Sequence, residues 1–257
     1  MFKSRISTTL STIGTHDYYG MYFDATNNNR INCGSSSTLD AGTSDFTISA
    51  WFKPTETKRS GQYWPIVSKG HSLTGTGDVT GWALSWVDED DGNPNEAIYF
   101  DRVDTGGDGS DRDTAIGYNV SNINQWTHAV GVYNTTDDNL KVYINGALKD
   151  TQSDEDSTNT GDGSRTFYIG NDEASRDFEG WISEVAFYKS ALTAAQVLTI
   201  YNGGDIYNHS LGPDPSNLKG WWRCGNGSPT LRFNGEVIKD LSGNSNDGTI
   251  ENMGFSK

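Results

Sequence analysis

The feature that most constrains this chain is apolar alternation with period two, repeated along most of its length. Phe46, Ile48, Ala50 and Phe52 alternate with Thr47, Ser49, Trp51 and Lys53. That spacing puts one residue set on a core face and the other on a half-exposed face of a strand. Shorter stretches of the same kind occupy Ile66–Lys69, Trp82–Val87, Ala97–Arg102, Phe167–Ile169, Trp181–Tyr188 and Trp221–Cys224. Trp126, His128, Val130 and Val132 alternate with Thr127, Ala129, Gly131 and Tyr133. Leu140, Val142 and Ile144 then run into Asn145-Gly146, a hairpin signal because both turn residues need positive φ. A single helix interrupts the pattern, over about residues 193–202. Thr193-Ala-Ala-Gln196 forms a capping box, Val197, Leu198 and Tyr201 make an apolar stripe, and Gly203 is placed as the stop. About a dozen strands with one short helix predict an all-β, two-sheet antiparallel sandwich of the jelly-roll kind.

The composition agrees with short aromatic strands joined by polar turns. Apolar residues are 33 % of 257, and the 30 glycines raise this to about 45 %, enough for a packed core. The 34 acidic and 19 basic side chains leave a net charge of −15. A nucleic-acid partner is thereby disfavoured, since it requires a basic stripe to displace phosphate counterions. No apolar run approaches the ~18 residues of a spanning helix, so no membrane insertion is expected. The N-terminus has no continuous apolar h-region, so no signal peptide is expected and synthesis is cytoplasmic. Residues 1–18 are Ser/Thr-rich and unpatterned, and read as an arm. Residues 19–257 read as one domain, with closing strands within 218–252. Fifteen acids fall in three loops, 88–96, 101–113 and 150–162. These loops are where solubility, or a cation, is expected to reside.

A series of landmarks carries a resemblance. Phe46-Thr-Ile-Ser-Ala-Trp-Phe-Lys53, Ile66-Val-Ser-Lys-Gly70 and Gly81-Trp-Ala-Leu84 come first. Gln125-Trp-Thr-His-Ala-Val130 and Val142-Tyr-Ile-Asn-Gly146 follow, then Tyr168-Ile-Gly170 and Phe178-Glu-Gly-Trp-Ile-Ser-Glu-Val185. Leu192-Thr-Ala-Ala-Gln196 and Tyr201-Asn-Gly203 complete the series. Over residues 20–204 the chain resembles the laminin G-like, concanavalin A-like jelly rolls, in the variety related to pentraxins. Its tail, Trp221-Trp-Arg-Cys-Gly-Asn-Gly227 and Asp240-Leu-Ser-Gly-Asn-Ser-Asn-Asp-Gly248, resembles a pattern that usually opens such a domain. That order is similar to laminin G-like proteins of tailed phages. The resemblance implies closing strands that return beside the first strand and bring Cys224 near Cys33. The two cysteines are then either buried thiols or a single bridge.

Catalysis finds little support. Relatives of the laminarinase type need two carboxylates across a scissile bond. The nearest acids, Asp88-Glu-Asp-Asp91, read as a solvated loop. None of His16, His71, His128 and His209 pairs at metal or triad spacing, and His128 reads as a packed histidine. The chain is expected not to be an enzyme, and no cofactor is required. Calcium is the candidate ion, because Asp240, Asn244, Asn246 and Asp247 place oxygen donors at near-alternate positions with Glu251 beyond. An Asx-turn loop fits the same residues. The pentraxin resemblance adds Asp172 and Glu173 as candidate calcium ligands. Aromatic platforms for a saccharide are Tyr63 and Trp64, and Trp221 and Trp222, although adjacent strand residues face opposite ways, so one of each pair is core. The Asn-x-Ser/Thr sites at Asn119, Asn134, Asn208 and Asn226 read as chance.

The expected function is a binding and structural module on a phage virion, as a capsid decoration or a fibre or adhesion protein. Its partners would be other virion proteins or copies of itself, and a cell-surface glycan. A soluble, calcium-assisted extracellular lectin is the alternative, and a β-glucan hydrolase follows behind it.

Overall fold

The computed structural model describes residues 20–25, 28–55, 62–70, 80–88, 96–103, 112–120, 123–154, 162–172, 176–225 and 235–252. The arm expected over 1–18 lies outside them, as do Glu89, Asp90, Asp91 and Glu173. The strands are β1 (Met21–Phe23), β2 (Arg30–Asn32), β3 (Phe46–Pro54), β4 (Gln62–Lys69), β5 (Gly81–Asp88), β6 (Ala97–Val103), β7 (Arg112–Tyr118) and β8 (Thr127–Asn134). They continue as β9 (Asn139–Ile144), β10 (Ala147–Ser153), β11 (Phe167–Ile169), β12 (Gly180–Tyr188), β13 (Leu218–Trp222), β14 (Val237–Ile238) and β15 (Gly248–Glu251). One α-helix, α1 (Ala194–Tyr201), occurs among the described residues, between β12 and β13.

Two antiparallel sheets face each other. One has the order β1-β12-β3-β8-β9-β10, with β13 also paired to β12; the other runs β14-β15-β2-β11-β4-β5-β6-β7. The chain is thus an all-β, concanavalin A-like jelly-roll sandwich, as the alternation predicts. Between the sheets the core is aromatic. Trp82 stacks on Phe187 at 5.8 Å, meets Phe167 edge-on at 5.5 Å, and lies 5.3 Å from Phe46. Each such ring, fully buried, contributes about 1.5–3 kcal/mol. Gly131 has a packing reason: the Phe100 ring lies where a side chain would be, and a Cβ there would meet its Cδ2 at 2.4 Å. At one end the interior holds a charged pair, Arg102 with Asp154, and the Arg102 guanidinium lies 4.3 Å from the Tyr133 ring centroid.

Local sequence signals convert directly. Asn145 and Gly146 take φ of 49° and 76° and join β9 to β10. Thr193 accepts from the Gln196 N–H, and the Gln196 side chain accepts from the Thr193 N–H, so the capping box is complete. Two details differ. The left-handed helix cap is Asn202, at φ 53°, one residue before Gly203. The buried helix stripe is Val197 and Ile200, while Leu198 is 58 % exposed.

The helix also changes which faces count as core. On β8 the inter-sheet face is Ala129, Gly131 and Tyr133. Val130 and Val132 point the other way, into a second cluster with Val197, Ile200, Leu192 and Trp221 under α1. His128 belongs to this covered face. It is buried, bonded to Ser49 Oγ at 2.8 Å, and packed on Trp51 and Tyr201. It is a packed histidine, though outside the inter-sheet core.

The tail closes the sandwich. In β13, Trp222 pairs with Val185 of β12; in β15, Ile250 pairs with Ile31 of β2. β13 starts at Leu218 and ends at Trp222, so Cys224 falls beyond it, at φ 65°. Cys33 and Cys224 are both buried in the main core cluster, as thiols and not as a bridge. Burial pushes the Cys33 thiol well up, and the neighbouring Cys224 and Asp240 add to it. A reluctant thiolate in an apolar site is the ordinary state of a structural cysteine.

Candidate binding surface

Among the sequence-predicted aromatics, alternation decides. Trp64 turns inward, 2 % exposed, and stacks edge-on with Trp86. Tyr63 turns outward, onto the far face of the larger sheet, with Tyr99 and Ile116. Trp222 is fully buried between the sheets and donates Nε1–H to the Asn246 carbonyl. Trp221 is 4 % exposed, on the opposite side, and donates Nε1–H to Glu184 at 2.7 Å. Trp64, Trp221 and Trp222 therefore present no ring to a ligand, which corrects their assignment as platforms. Of the four, Tyr63 alone keeps solvent exposure.

The predicted calcium loop is a web of turns. Asp240 Oδ1 accepts the N–H groups of Trp221 and Ser242, and Oδ2 accepts Ser242 Oγ–H and the Asn246 N–H. Asp247 accepts the Asp240 N–H and the Lys239 ammonium. Asn244 donates to the Leu218 carbonyl, and Asn246 donates to Thr38 and to the Lys219 carbonyl. The oxygens that suggested a cation are aimed at N–H and O–H donors, so these residues pin the tail to β13 and to the 3-10 turn Ser37–Leu39. Glu251 lies apart, paired with Arg30 at 2.7 Å. Asp172 accepts the Arg176 N–H and does not join that loop. Among the described residues no three His, Cys, Asp or Glu side chains group to hold a metal ion.

The surface that stands out was not anticipated. Gly180, at φ 136°, lets β12 begin hard against β3: a Cβ there would lie 2.3 Å from the Lys53 carbonyl. This register sets Trp181 opposite Lys53, and β1 sets Tyr22 opposite Trp181. On the other side of Lys53, the Asn124 N–H bonds to the Pro54 carbonyl at 2.8 Å, with Asn124 left-handed at φ 60°. That turn delivers Trp126 beside Lys53. The result is a row Tyr22, Trp181, Lys53, Trp126 across the outer face of the smaller sheet, beyond the end of α1. The Lys53 ammonium lies 5.1 Å from the Trp126 ring and 5.4 Å from the Trp181 ring, within cation–π range. Tyr22 meets Trp181 edge-on at 5.5 Å. All four are half-buried, whereas their strand neighbours Met21, Phe23, Phe52 and Ile182 are core. Two indoles around one cation, with a phenol edge-on to one of them, form a rigid amphipathic surface. Such rings stack on the C–H faces of a sugar, while the ammonium and phenol donate to its oxygens.

Beneath the helix side of the same sheet lies a buried polar network. A bulge between Ser183 and Ala186 puts Glu184 at φ 50°, 1 % exposed, with its carboxylate on Trp221 Nε1 and 3.4 Å from Arg223 Nε. Burial raises Glu184 to about 7, against the Trp221 hydrogen bond and the Arg223 charge. His209, fully enclosed and bonded through Nδ1 to the Tyr188 hydroxyl at 2.7 Å, is lowered by burial and then by Arg223 to about 3. Glu184 and His209 are internal and face no open surface, so the network stabilises the sheet.

The fold and its outer aromatic face define a concanavalin A-like sandwich. Residues 22–198 match the family described as the concanavalin A-like lectin/glucanases superfamily, and the chain belongs to that family. No curated protein matches the chain. Among solved structures, it is similar to a native heptameric SAP-like pentraxin from Limulus polyphemus, at 18 % identity and TM-score 0.53, over 71 % of this chain and 81 % of that one. It is similar to a candidate carbohydrate binding protein from Bacteroides ovatus, at 19 % identity and TM-score 0.56, over 90 % of this chain and 57 % of that one. It also resembles tailspike protein 2 of Escherichia coli O157:H7 bacteriophage CAB120, at 13 % identity and TM-score 0.56, over 82 % of this chain and 27 % of that one. At these identities the likeness is one of fold.

Proposed function

We propose that the chain is a non-enzymatic binding module that takes a saccharide on the row Tyr22, Trp181, Lys53 and Trp126. The observation that carries this reading is the half-burial of two indoles around one ammonium, with a phenol edge-on to one of them, on the outer face of the smaller sheet. Membership of a lectin-containing family supports it. So does the shared fold with a Bacteroides protein named for carbohydrate binding. The row is built by backbone register, so it stands ready before a ligand arrives, and little ordering entropy opposes binding.

The biological setting we infer is a virion surface after cytoplasmic synthesis, as a capsid decoration or fibre-associated adhesion protein among other virion proteins or copies of itself. The tail order, which resembles that of laminin G-like proteins of tailed phages, and the fold likeness to a tailspike protein support this setting. A glycan array probed with and without chelator tests the binding function. Signal that survives chelation is expected, and signal abolished by chelation favours the calcium-assisted lectin. Peptide mass spectrometry of purified particles tests the setting; a chain absent from particles refutes it.

A further inference from the structure

The opposite outer face, on the larger sheet, carries a different arrangement. Tyr63 of β4 lies there with Asp101 of β6, Arg112 and Thr114 of β7, and Arg176 from the segment before β12. Both guanidiniums sit against one ring: Arg112 Cζ is 5.0 Å and Arg176 Cζ 5.8 Å from the Tyr63 centroid. Their surroundings differ. Arg112 donates Nε–H and Nη2–H to Asp101 Oδ1 at 2.8 and 2.6 Å, and Thr114 Oγ–H donates to the same oxygen. Its remaining nitrogen reaches the Tyr63 hydroxyl at only 3.5 Å.

Arg176 is worse served. Its closest charged partner is Asp172, at 3.9 Å from Nε, beyond hydrogen-bond range. Asp172 Oδ1 is taken up by the Arg176 backbone N–H. Among the described residues the Arg176 guanidinium donates no hydrogen bond, and its Nη1 is buried without an acceptor. A guanidinium offers five donors and cannot shed its proton, so a buried, unmet N–H costs about 1–3 kcal/mol. Burial, and the nearby Arg112 charge, push Arg176 down from its ordinary value, against the pull of Asp172. The side chains of Arg112 and Arg176 are 23 % and 21 % exposed, so both remain reachable from solvent.

We propose that Arg176, with Arg112 and Tyr63, forms a subsite for a ligand carboxylate of the kind an acidic sugar carries. A planar carboxylate fits the fork of a guanidinium with two parallel hydrogen bonds. It would supply the acceptors that Arg176 lacks and screen Arg176 from Arg112. Asp101 already holds Arg112 in place, so the anion meets a pre-set cation. The subsite lies across the sandwich from the aromatic row and is independent of it.

The test is a titration of the full chain, at constant ionic strength, with D-glucuronate, D-glucose, acetate and sulfate. Arginine Nε–H resonances report on this subsite and tryptophan indole resonances on the aromatic row. Saturable shifts of the Arg176 signal with glucuronate, and not with glucose, are expected. A similar response to acetate supports the carboxylate as the recognised group. Arg176→Gln is expected to weaken glucuronate binding about tenfold or more, the loss of charge-assisted hydrogen bonds. The wild-type titration decides the question even if that variant folds poorly. Sulfate binding without carboxylate binding, no saturation with glucuronate, or equal affinity in Arg176→Gln each overturns the proposal. A response at the indoles alone also overturns it, and leaves the aromatic row intact.

Discussion

Glu184→Gln isolates one buried proton and gives a prediction with a worked magnitude. In the unfolded chain Glu184 releases its proton near 4.5, and in the fold near 7. Between those values the folded state binds the extra proton, so this group's stabilisation is full below pH 4.5 and is lost as pH rises to about 7. At about 1.4 kcal/mol per pH unit the total is roughly 3 kcal/mol. His209 acts with the opposite sign. Its imidazole falls from 6.5 to about 3, so its contribution is present above 6.5 and is lost as pH falls toward 3. From pH 4.5 to 6.5 the two slopes cancel, and the wild type is expected to hold nearly constant stability. Asp214 and Asp247, both held below 3.8, enter only at more acid pH. Glutamine keeps the acceptor for Trp221 Nε1–H and cannot ionise. The variant should therefore lose stability on acidification from pH 6.5 to 4.5, by about 3 kcal/mol in all. Urea unfolding followed by tryptophan fluorescence at half-unit pH steps measures this. Parallel wild-type and variant curves across the window would refute proton linkage at Glu184.

Other outcomes follow from single contacts. Gly131→Ala drives a methyl into the Phe100 ring, and a loss of about 1–3 kcal/mol in urea is expected. Thr193→Ala removes the helix cap, and should lower stability by about 1 kcal/mol while leaving the sheet spectrum in circular dichroism unchanged. Asp240→Ala breaks four hydrogen bonds that anchor the tail, and is expected to cost at least about 3 kcal/mol. Because those oxygens already accept from protein donors, millimolar calcium is expected to leave the Tm unchanged; a calcium-dependent rise would reinstate a metal at that loop.

The strands were legible because alternation is local: each strand's own residues declare its period, and Asn145-Gly146 declares its turn. The capping box at Thr193 was legible for the same reason. Burial by α1 was not, since a helix far along the chain covers the face of β8 that carries His128 and Val130. The tail loop misled in an instructive way. Carboxylate and amide oxygens at alternate positions serve a cation or serve N–H donors equally well, and only the aim of Asp240 separates the two. The aromatic row was invisible for a topological reason. Tyr22, Lys53, Trp126 and Trp181 come from four distant segments, and their meeting depends on the register that Gly180 and the Asn124 turn impose. Tyr63 and Trp64 were separated correctly in principle by alternation, but the guanidiniums that gather on Tyr63 arrive from β7 and from beyond β11.

The central claim is that the aromatic row binds sugar. Its most direct measurement is the affinity of the wild type and of Trp181→Ala for one array-positive saccharide, by isothermal titration, with Tm monitored in parallel. Loss of one half-buried stacking ring should weaken binding about tenfold while lowering the Tm by only a few degrees, the chain staying folded. Equal affinities, or a wild type that binds no saccharide, would contradict the account.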